Sequence, residues 1–393
     1  MENRNWKEYK IKDIAEVIGG GTPRTDNPDF WNGDIPWITP RDLTGYSKMY
    51  ISNGERFISS EGLKGSSTRL LPKGTVLLTS RAPIGYVAIA DNEICTNQGF
   101  KSLVLNEDLV YNKFIYYWIK NNIDYLQSIG TGTTFAEISG NVVKEIDIQL
   151  PPLPEQKAIA SVLSSLDDKI DLLHQQNQTL EALAETLFRQ WFIEEAKEDW
   201  EEGTVGDLSI HSKISVHPKK NPDTLYHHYS IPSFDANKKP IVELGVDIQS
   251  NKYKVEAKSI LFSKLNPHKD KRVWLILDDL QDNSICSTEF QVVKPTDDIY
   301  LYFIYGWLTH SAYYNEIASG VGGTSGSHQR IDPKSIFTAP CIKNDKQIIA
   351  DYNVQVDPLF KKQFENQQQI QTLTKLRDAL LPKLMSGEVR VKI

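Results

Sequence analysis

The segment LPPLPEQKAIASVLSSLDDKIDLLHQQNQTLEALAETLFRQW, residues 150–191, decides the fold. Its prolines favour the end of one structure and the start of a helix, because the residue before a proline disfavours the helical conformation and proline itself suits a first helical turn. Apolar residues then recur at alternating spacings of four and three from Ile159 to Trp191, which is a heptad seam. Asn177 is the polar position in that seam, and a buried asparagine fixes register in a coiled coil. The segment therefore predicts a long helix that pairs with another helix.

The partner helix is supplied by an internal repeat with an offset of about 190 residues. Residues 114–119 (FIYYWI) correspond to 303–308 (FIYGWL), and residues 155–160 correspond to 346–350. The second helix is predicted over residues 349–384, with Gln367 opposite Asn177. The positions predicted to pair the two helices are Leu166, Ile170, Leu173, Asn177, Leu180, Leu187, Val356, Phe360, Gln367, Ile370 and Leu373. The alternative is two amphipathic helices that lie on separate domain surfaces, since short heptad runs also occur in ordinary cores.

The segments on either side of the first helix share one pattern of apolar runs and turn residues. Short β-type runs separated by turn residues fill residues 1–150 and recur in 203–340, which predicts two similar mixed α/β domains. We therefore expect a pseudo-twofold chain in which each domain is followed by a long helix, with the two helices packed on each other. The expected boundaries are 1–150, 151–202, 203–340 and 341–393.

Charge is distributed unevenly along these segments. The whole chain of 393 residues has a net charge of −7, and residues 151–202 alone contribute −8. Basic residues cluster in the predicted domains, with 12 Lys and Arg against 6 Asp and Glu over residues 213–272, and 7 against 3 over residues 41–81. A basic face on each domain could contact nucleic acid, but a solvated surface has the same composition.

Other features of composition indicate the compartment. The three cysteines, Cys95, Cys286 and Cys341, are far apart and form no metal-ligand motif, which fits a reducing environment. Neither a secretory signal nor an apolar run long enough to cross a bilayer is present, so we expect a cytoplasmic protein without a membrane partner.

Motifs for catalysis are weak. Glycine-rich loops at residues 19–22 and 320–327 lack the lysine of a phosphate-binding loop, and the second has a counterpart at 130–134. Tight turns or a duplicated binding function explain these loops better than a nucleotide site. Asp223, Glu256 and Lys258 match a loose nuclease pattern, which leaves a self-sufficient Mg²⁺-dependent nuclease as one alternative. A protein-only scaffold is another. Trp31 and Trp37 lie near basic and hydroxyl residues, and we expect a core role for them.

Several stretches resemble the specificity subunit of type I restriction–modification enzymes. They are GTPR at 21–24, DIPWITPRDL at 34–43, SRAPIG at 80–85, TNQGFK at 96–101, PLPEQKAIA at 152–160 and LLPKLMSGE at 380–388. The resemblance extends over the whole chain and includes the order of domains and helices.

The resemblance implies a DNA-binding subunit that is not itself catalytic. In that family two target-recognition domains each read one half of a bipartite, asymmetric site in double-stranded DNA. The two long helices of that family pair as an antiparallel coiled coil that spaces the domains. They also dock two modification subunits, which methylate adenine with S-adenosylmethionine. Restriction subunits add ATP-driven translocation and cleavage. No cofactor is therefore expected in this chain, whereas S-adenosylmethionine, ATP and Mg²⁺ are expected in the partners.

Candidate DNA-binding residues follow from position within the matching stretches. In the first domain they are Thr22, Arg24, Thr39, Arg41, Ser80 and Arg81. The second domain lacks SRAPIG and NQGF and has SKLNP at 263–267 and STEF at 287–290 instead. Its candidates are Lys213, Lys264, His268, Lys269 and Arg272. Such differences suit two domains that read different sequences.

Overall fold

A computed structural model describes residues 5–132, 136–319, 321–322, 329–343 and 345–392. The chain divides into two compact units. Unit 1 consists of Met1–His174 together with Gln367–Ile393, and unit 2 consists of Gln175–Asn366. Each unit therefore holds one globular α/β part and a segment of each long helix.

The elements of unit 1 alternate between short strands and short helices before the first long helix begins. The strands are β1 (Lys7–Lys10), β2 (Ala15–Gly19), β3 (Trp31–Ile38), β4 (Tyr50–Ile51), β5 (Arg56–Ile58), β6 (Val76–Ser80), β7 (Ile84–Ala90), β8 (Cys95–Thr96), β9 (Phe100–Leu105) and β10 (Asp147–Leu150). The helices are α1 (Ile11–Ile14), α2 (Ser60–Lys64), α3 (Asn112–Asn121), α4 (Ile123–Ser128), α5 (Gly140–Lys144) and the long α6 (Leu153–Arg189).

Two sheets organise the globular part of unit 1. A five-stranded sheet has the order β2-β9-β6-β7-β4, and a three-stranded sheet has the order β5-β3-β8. Strands β1 and β10 form a separate antiparallel pair. The five-stranded sheet and α3 enclose a core that includes Val76, Leu103 and Phe114, all essentially inaccessible to solvent.

Unit 2 repeats this succession. Its strands are β11 (Glu201–Thr204), β12 (Ser209–Ser212), β13 (Ser215–Val216), β14 (Leu225–Tyr229), β15 (Ile241–Leu244), β16 (Lys252–Lys254), β17 (Ser259–Ser263), β18 (Val273–Ile276), β19 (Ser284–Cys286), β20 (Phe290–Pro295), β21 (Val321–Gly322), β22 (Arg330–Ile331) and β23 (Pro340–Lys343). Its helices are α7 (Val205–Leu208), α8 (Ile231–Asn237), α9 (Leu301–Thr309), α10 (Ser311–Ser319), α11 (Pro333–Phe337) and the long α12 (Lys346–Met385).

The repeat extends to sheet topology. The order β12-β20-β17-β18 in unit 2 matches β2-β9-β6-β7 in unit 1, and β11 pairs with β23 as β1 pairs with β10. In the other sheets, β14 lies parallel to β19 and antiparallel to β15, as β3 does to β8 and β5. The expected fold class, two similar mixed α/β domains each followed by a long helix, is confirmed.

In unit 1 the two long helices run antiparallel. Ile170 and Leu173 of α6 form a small apolar cluster with Ile370 and Leu373 of α12. Further towards the start of α6, Asp167 accepts a 2.7 Å hydrogen bond from Arg377. Residue numbers therefore fall along α12 as they rise along α6, which is the expected antiparallel pairing.

Unit 2 contains the polar layer of the helix pair. Asn177 accepts hydrogen bonds from Asn366 at its side-chain oxygen and from Gln363 at its carbonyl oxygen, each 2.9 Å long. Asn366 is 1% exposed. The sequence analysis placed Gln367 opposite Asn177; the residue that bonds to the Asn177 side chain is the preceding one, because the apolar spacing of α12 is interrupted between Phe360 and Ile370.

The seam of α6 also shifts within unit 2. Ala184, Phe188 and Phe192 are buried there, whereas Leu180, Leu187 and Trp191 are only partly buried. This part of α6 packs on α9 as well as on α12: the Phe188 ring lies 5.2 Å from Trp307 and 6.3 Å from Tyr352. The buried residues of this part of α6 are spaced by four and form a wider apolar face than the predicted heptad stripe. A π-helical segment at Gln190–Glu194 follows the end of α6.

In unit 1, Leu166 is partly buried on α6, and in unit 2, Val356 and Phe360 are buried on α12. Within the described ranges no helix is both long and apolar enough to cross a bilayer.

Candidate nucleic-acid interface

In unit 1 the predicted residues follow strands whose carboxyl ends meet at one side. Strands β2 and β6 both run antiparallel to β9, so their carboxyl ends lie beside the start of β9, where Gly19 pairs with Lys101 and Thr79 with Phe100. Strands β3 and β8 are parallel, and residues 97–99 connect β8 to β9. We call the loops that follow these strands edge 1: residues 20–24, 39–43, 81–82 and 97–99.

The turn at residues 97–99 holds edge 1 together. The Asn97 amide donates to the Ile38 carbonyl (2.9 Å), and the Gly99 amide donates to the Asn97 side chain (2.9 Å). The Ser80 amide then donates to the Gly99 carbonyl (2.7 Å). This asparagine turn joins the two sheets and leaves the side chain of Gln98 exposed at its tip, where Gln98 accepts a hydrogen bond from Thr22.

Glycines at residues 20 and 21 allow the first loop to approach this turn. A Cβ at Gly20 would lie 2.0 Å from the carbonyl oxygen of Asn97, and one at Gly21 would lie 2.5 Å from the amide of Thr68. The Gly21 carbonyl in turn accepts a 2.9 Å hydrogen bond from the indole of Trp37. The loop at residues 19–22 is therefore a site of close backbone packing. In the other two glycine-rich loops, at 130–134 and 320–327, residues 133–134, 320 and 323–327 lie outside the described residues.

Some of the predicted side chains of edge 1 are exposed, and others form hydrogen bonds within the fold. Arg24 and Arg41 are largely exposed; Arg24 pairs with Asp26 at 3.0 Å, and this pairing lowers the pKa of the Asp26 carboxyl. Arg41 lies 3.9 Å from Glu55.

Two other predicted side chains of this region have structural roles. Thr39 caps the 3-10 helix Pro40–Leu43 through two 2.7 Å bonds to Asp42, one from its amide and one from its hydroxyl. Ser80 is fully buried and donates to Gly99, so its hydroxyl is not available to a ligand.

Arg81 continues edge 1 towards a short hairpin. It is partly exposed and lies 3.8 Å from Glu137, which also pairs with Lys101 at 3.2 Å. The Ile138 amide donates to the Ser80 carbonyl (2.9 Å), so the segment at residues 137–138 lies directly beside the end of β6. Sequence reasoning missed both residues: Glu137 lies outside the matching stretches, and Lys101, the last residue of TNQGFK, was not among the candidates.

Unit 2 builds the same arrangement, which we call edge 2: residues 213, 230–233, 264–269 and 287–289. Strands β12, β14, β17 and β19 end there, and β20 begins there. The Ser287 amide donates to the Tyr229 carbonyl (3.0 Å), and the Glu289 amide donates to the Ser287 hydroxyl (3.3 Å). The Lys264 amide donates to the Glu289 carbonyl (2.9 Å). The stretch STEF thus forms the same turn as NQGF, with serine in place of asparagine.

Edge 2 carries its own charges. Lys213, His268 and Lys269 are exposed, and Lys264 is partly exposed. Glu289 pairs with Arg330 at 2.9 Å, and Arg330 occupies the place that Glu137 has in unit 1, since the next amide, that of Ile331, donates to Lys264 (3.0 Å). Below Lys213 and Lys264, His211 stacks on Phe337, and burial lowers the pKa of its imidazole.

The structure corrects the role predicted for Arg272. Its side chain is only 9% exposed and forms a pair with Asp235 through two hydrogen bonds (2.6 and 2.8 Å) and with Asp270 at 2.7 Å. The hydrogen bonds that Arg272 donates to Asp235 are the main cause of its raised pKa. Arg272 therefore fixes the loop before β18, with its largely buried guanidinium engaged by two carboxylates. A sequence cannot show this, because the two carboxylates come from different loops.

Tryptophans of unit 1 form part of a core beside edge 1, as expected. Trp31 and Trp37 are 9% and 3% exposed and pack edge to face with their ring centres 5.1 Å apart. Arg56 lies over Trp31, its guanidinium carbon 3.5 Å from the ring centre. Sequence reasoning missed Arg56; the signal was a cation on the strand that pairs with β3.

The nuclease pattern is not assembled. Lys258 pairs with Asp298 at 2.8 Å and Asp278 at 3.4 Å, contacts that involve neither Asp223 nor Glu256. Among the residues with described positions, no group of three or more His, Cys, Asp or Glu side chains could hold a metal ion. The cysteines are buried, and burial raises the pKa of the Cys95 thiol to about 11.

Comparison with known proteins decides the family. Residues 3–182 match the model of the type I restriction modification DNA specificity domain. The type I restriction enzyme MjaIX specificity subunit of Methanocaldococcus jannaschii is 38% identical over 99% of this chain and 94% of its own length. This chain belongs to the type I specificity subunits.

Other specificity subunits match part of the sequence or the fold. The EcoR124I/EcoR124II specificity subunit of Escherichia coli is 30% identical over 41% of this chain and 40% of its own length. The crystal structure of a type I restriction–modification S subunit from M. genitalium covers 100% of this chain and 98% of its own length, with a TM-score of 0.63 and 16% identity. That likeness supports the specificity-subunit fold.

Proposed function

We propose that this specificity subunit is a non-catalytic reader of double-stranded DNA, in which edge 1 and edge 2 each read one half of a bipartite site. The family supports DNA recognition, and the resemblance of the whole chain supports a split target. The proposal keeps the sequence-based division into domains 1–150 and 203–340 and helical segments 151–202 and 341–393.

One observation carries the assignment to the two edges: the same backbone turn displays different side chains. The hydrogen bonds of residues 97–99 are repeated by residues 287–289, yet Gln98 at the first tip becomes Thr288 at the second. Phosphate contacts position a protein on DNA, whereas side chains that reach base edges specify the sequence. A constant scaffold with variable tips is what two readers of different half-sites require.

The available side chains at each edge suit that task. At edge 1 they are Thr22, Arg24, Arg41, Arg81 and Gln98, and at edge 2 they are Lys213, Lys264, His268, Lys269 and Thr288. Arginine and lysine recognise guanine in the major groove, and glutamine recognises adenine. Thr39, Ser80 and Arg272 are left out of the proposed contacts because their polar groups serve the fold.

The proposal extends to partners. Two modification subunits would dock on the long helices and methylate adenine with S-adenosylmethionine, and restriction subunits would use ATP and Mg²⁺. The helices would set the spacing between the two halves of the site. The family relationship supports such an assembly.

The test is methylation mapping in a host that carries this chain with its modification subunit. We expect a split adenine-methylation motif that disappears when only this chain is deleted. Arg81→Ala should relax one half of the motif and Lys264→Ala the other, each weakening cognate binding by about 1–3 kcal/mol if it removes a base contact.

The matched control is Lys73→Ala. Lys73 is an exposed cation paired with Asp91 at the opposite end of β6 and β7, and its loss should leave the motif unchanged. If Arg81→Ala and Lys264→Ala preserve both half-sites, the two edges are not the readers. If the methylation pattern does not depend on this chain, the function itself is wrong.

A further inference from the structure

Arg56 stands out among the exposed cations of unit 1 because its position is fixed by rings. The guanidinium carbon lies 3.5 Å from the centre of the Trp31 ring and 5.4 Å from that of Trp37. The Trp31 indole is itself fixed, since it donates a 3.1 Å hydrogen bond to the Arg24 carbonyl. Stacking on a buried ring restricts the rotamers of an otherwise flexible cation before any ligand arrives.

The hydrogen-bond donors of Arg56 are not used within the described part of the chain. Arg24 pairs with Asp26, and Arg41 lies 3.9 Å from Glu55, whereas no described carboxylate lies within 4.0 Å of Arg56. The residue is exposed. A guanidinium offers five N–H donors in a plane, a geometry that matches a carboxylate or a phosphate.

Arg56 lies at the border of edge 1. It is the first residue of β5 and pairs with Trp37 near the carboxyl end of β3. The amide of the preceding residue, Glu55, donates a 2.8 Å hydrogen bond to the carboxylate of Asp42, which also accepts a hydrogen bond from the Thr39 amide. A ligand that covers the exposed side chains of edge 1 would therefore come within reach of Arg56.

The flat position of the guanidinium distinguishes a phosphate contact from a base contact. A side chain that reads bases must extend away from the protein into a groove, as an exposed arginine on a loop can. The guanidinium of Arg56 instead lies on Trp31, close to the protein surface, a position that suits a contact with the sugar–phosphate backbone and not with a base edge.

We propose that Arg56 is a preorganised binding site for a DNA backbone phosphate beside the half-site read by edge 1. This assignment rests on the proposed function. Unit 2 has no counterpart at this position, because Ile241 pairs with His228 where Arg56 pairs with Trp37. Edge 1 thus has a stacked phosphate anchor that edge 2 lacks.

Salt dependence of DNA binding tests the proposal directly, because each phosphate contact that is lost lowers the slope of log K against log salt by about one. The variant is Arg56→Gln, which removes the charge but retains much of the stem over Trp31. Full-length chains bind a cognate duplex and a scrambled duplex across a salt series. We expect the slope to fall by about one and affinity at ~0.15 M salt to fall by roughly fivefold on both duplexes.

Two further variants control for charge and for folding. Arg56→Lys keeps the charge and should retain a slope close to that of the original chain, with a smaller loss of affinity. Lys73→Gln removes an exposed charge remote from edge 1 and should leave the slope unchanged. Equal thermal unfolding midpoints for Arg56→Gln and the original chain would show that Trp31 stays packed.

The outcomes separate the two proposals. An unchanged slope for Arg56→Gln, with cognate preference intact in the original chain, overturns the anchor and leaves the reader function in place. A loss limited to the cognate duplex also overturns it, since Arg56 would then read a base. Weaker copurification of modification subunits with an unchanged slope would place Arg56 in a protein interface instead. If the original chain shows no cognate preference but the slope still falls by one, the reader function fails and the anchor stands.

Discussion

In unit 1 the segment at residues 137–138 lies beside β6 and carries Glu137. In unit 2 the equivalent segment, β22, lies beside the end of β17 and carries Arg330. Glu137 pairs with Lys101 and lies near Arg81, and Arg330 pairs with Glu289. The pairs join the same two neighbouring segments with their charges reversed, while the backbone hydrogen bonds around them are retained. An ion pair thus joins these segments in both units, although its partners come from different positions, since Glu289 corresponds to Gly99 and Lys101 corresponds to Gln291. Side chains at the two edges can therefore diverge in charge without a change of scaffold.

The largest expected effect tests a place where the two edges do differ in backbone packing. Gly20 follows β2, and the register of the two equivalent sheets places Ile214 at the corresponding position after β12. Gly20→Ala would bring a Cβ to 2.0 Å from the Asn97 carbonyl oxygen, so we expect unit 1 to lose about 3 kcal/mol of stability. Hydrogen exchange resolved by peptide should show faster exchange in unit 1 and none of this effect in unit 2.

The neighbouring residue is the matched control for this prediction. A Cβ at Gly19 would have no atom within 4 Å. Gly19→Ala should leave exchange in unit 1 nearly unchanged. Equal exchange rates for the two alanine variants would contradict the close approach of the first loop to the turn.

The next effect concerns the loops that precede β7 and β18. Unit 1 joins β6 to β7 through residues 81–83, whereas unit 2 uses residues 264–272 and fixes that longer loop with Arg272. Arg272→Met should destabilise unit 2 by about 2 kcal/mol, because Asp235 and Asp270 lose a buried partner; their partial exposure to water limits the cost.

Urea unfolding followed by a probe in unit 2 measures this loss. Lys269→Met, an exposed position in the same loop, is the control and should change stability by less than about 0.5 kcal/mol. If Arg272→Met costs no more than Lys269→Met, the loop does not depend on the pair.

A smaller effect tests the reversed pairs themselves. A double-mutant cycle on Glu289 and Arg330 should give a coupling energy of about 1 kcal/mol, since the pair has several hydrogen bonds but is partly exposed. A cycle on Lys101 and Glu137 should give a coupling of the same sign. Coupling in one unit only would break the equivalence of the two edges.

Acidification gives the smallest difference between the units. Residues 1–150 contain no histidine, whereas unit 2 holds His211 and His228, whose pKa values are lowered mainly by burial. When the pKa of a histidine is lower in the folded state than in the unfolded state, the unfolded state binds the proton more readily. The free energy of unfolding therefore falls as the pH falls below about 6.5, the pKa of an unfolded histidine. We expect unit 2 to lose up to about 1 kcal/mol per such histidine, a loss that the histidine-free residues 1–150 of unit 1 do not share.

Histidine substitution checks this prediction. His228→Gln should reduce the pH dependence of hydrogen exchange in unit 2 between pH 7 and about 5.5. An identical pH dependence in the substituted and original chains would show that His228 does not contribute.

Much of the fold could be predicted from the sequence because local signals and the repeat agree. The prolines before α6, the repeated FIYxW stretch and the heptad spacing gave helix positions close to the observed Leu153–Arg189 and Lys346–Met385. The seam beyond Asn177 could not be predicted, since Phe188 is buried by packing on α9 as well as on α12.

The candidate site was only partly predictable. Position relative to the stretches that resemble the family pointed to Arg24, Arg41 and Lys264, which lie in the loops of the two edges; their contact with DNA stays a prediction. Burial of Ser80 and Arg272 depends on partners distant in sequence, Gly99 and Asp235, which no local pattern reveals. Arg56 was missed because its partner, Trp31, lies on another strand.

The way in which the long helices are shared between the units affects the order of folding during synthesis. Domains commonly fold in order from the amino terminus as the ribosome releases them. Every residue of unit 2 precedes Gln367, whereas the core of unit 1 includes Leu384, and Glu155 is paired with Arg390. The first-made part of unit 1 must therefore wait for residues made after unit 2 is finished. A nascent chain that stalls between the two stages would carry a complete unit 2 and a unit 1 that still lacks residues 367–393.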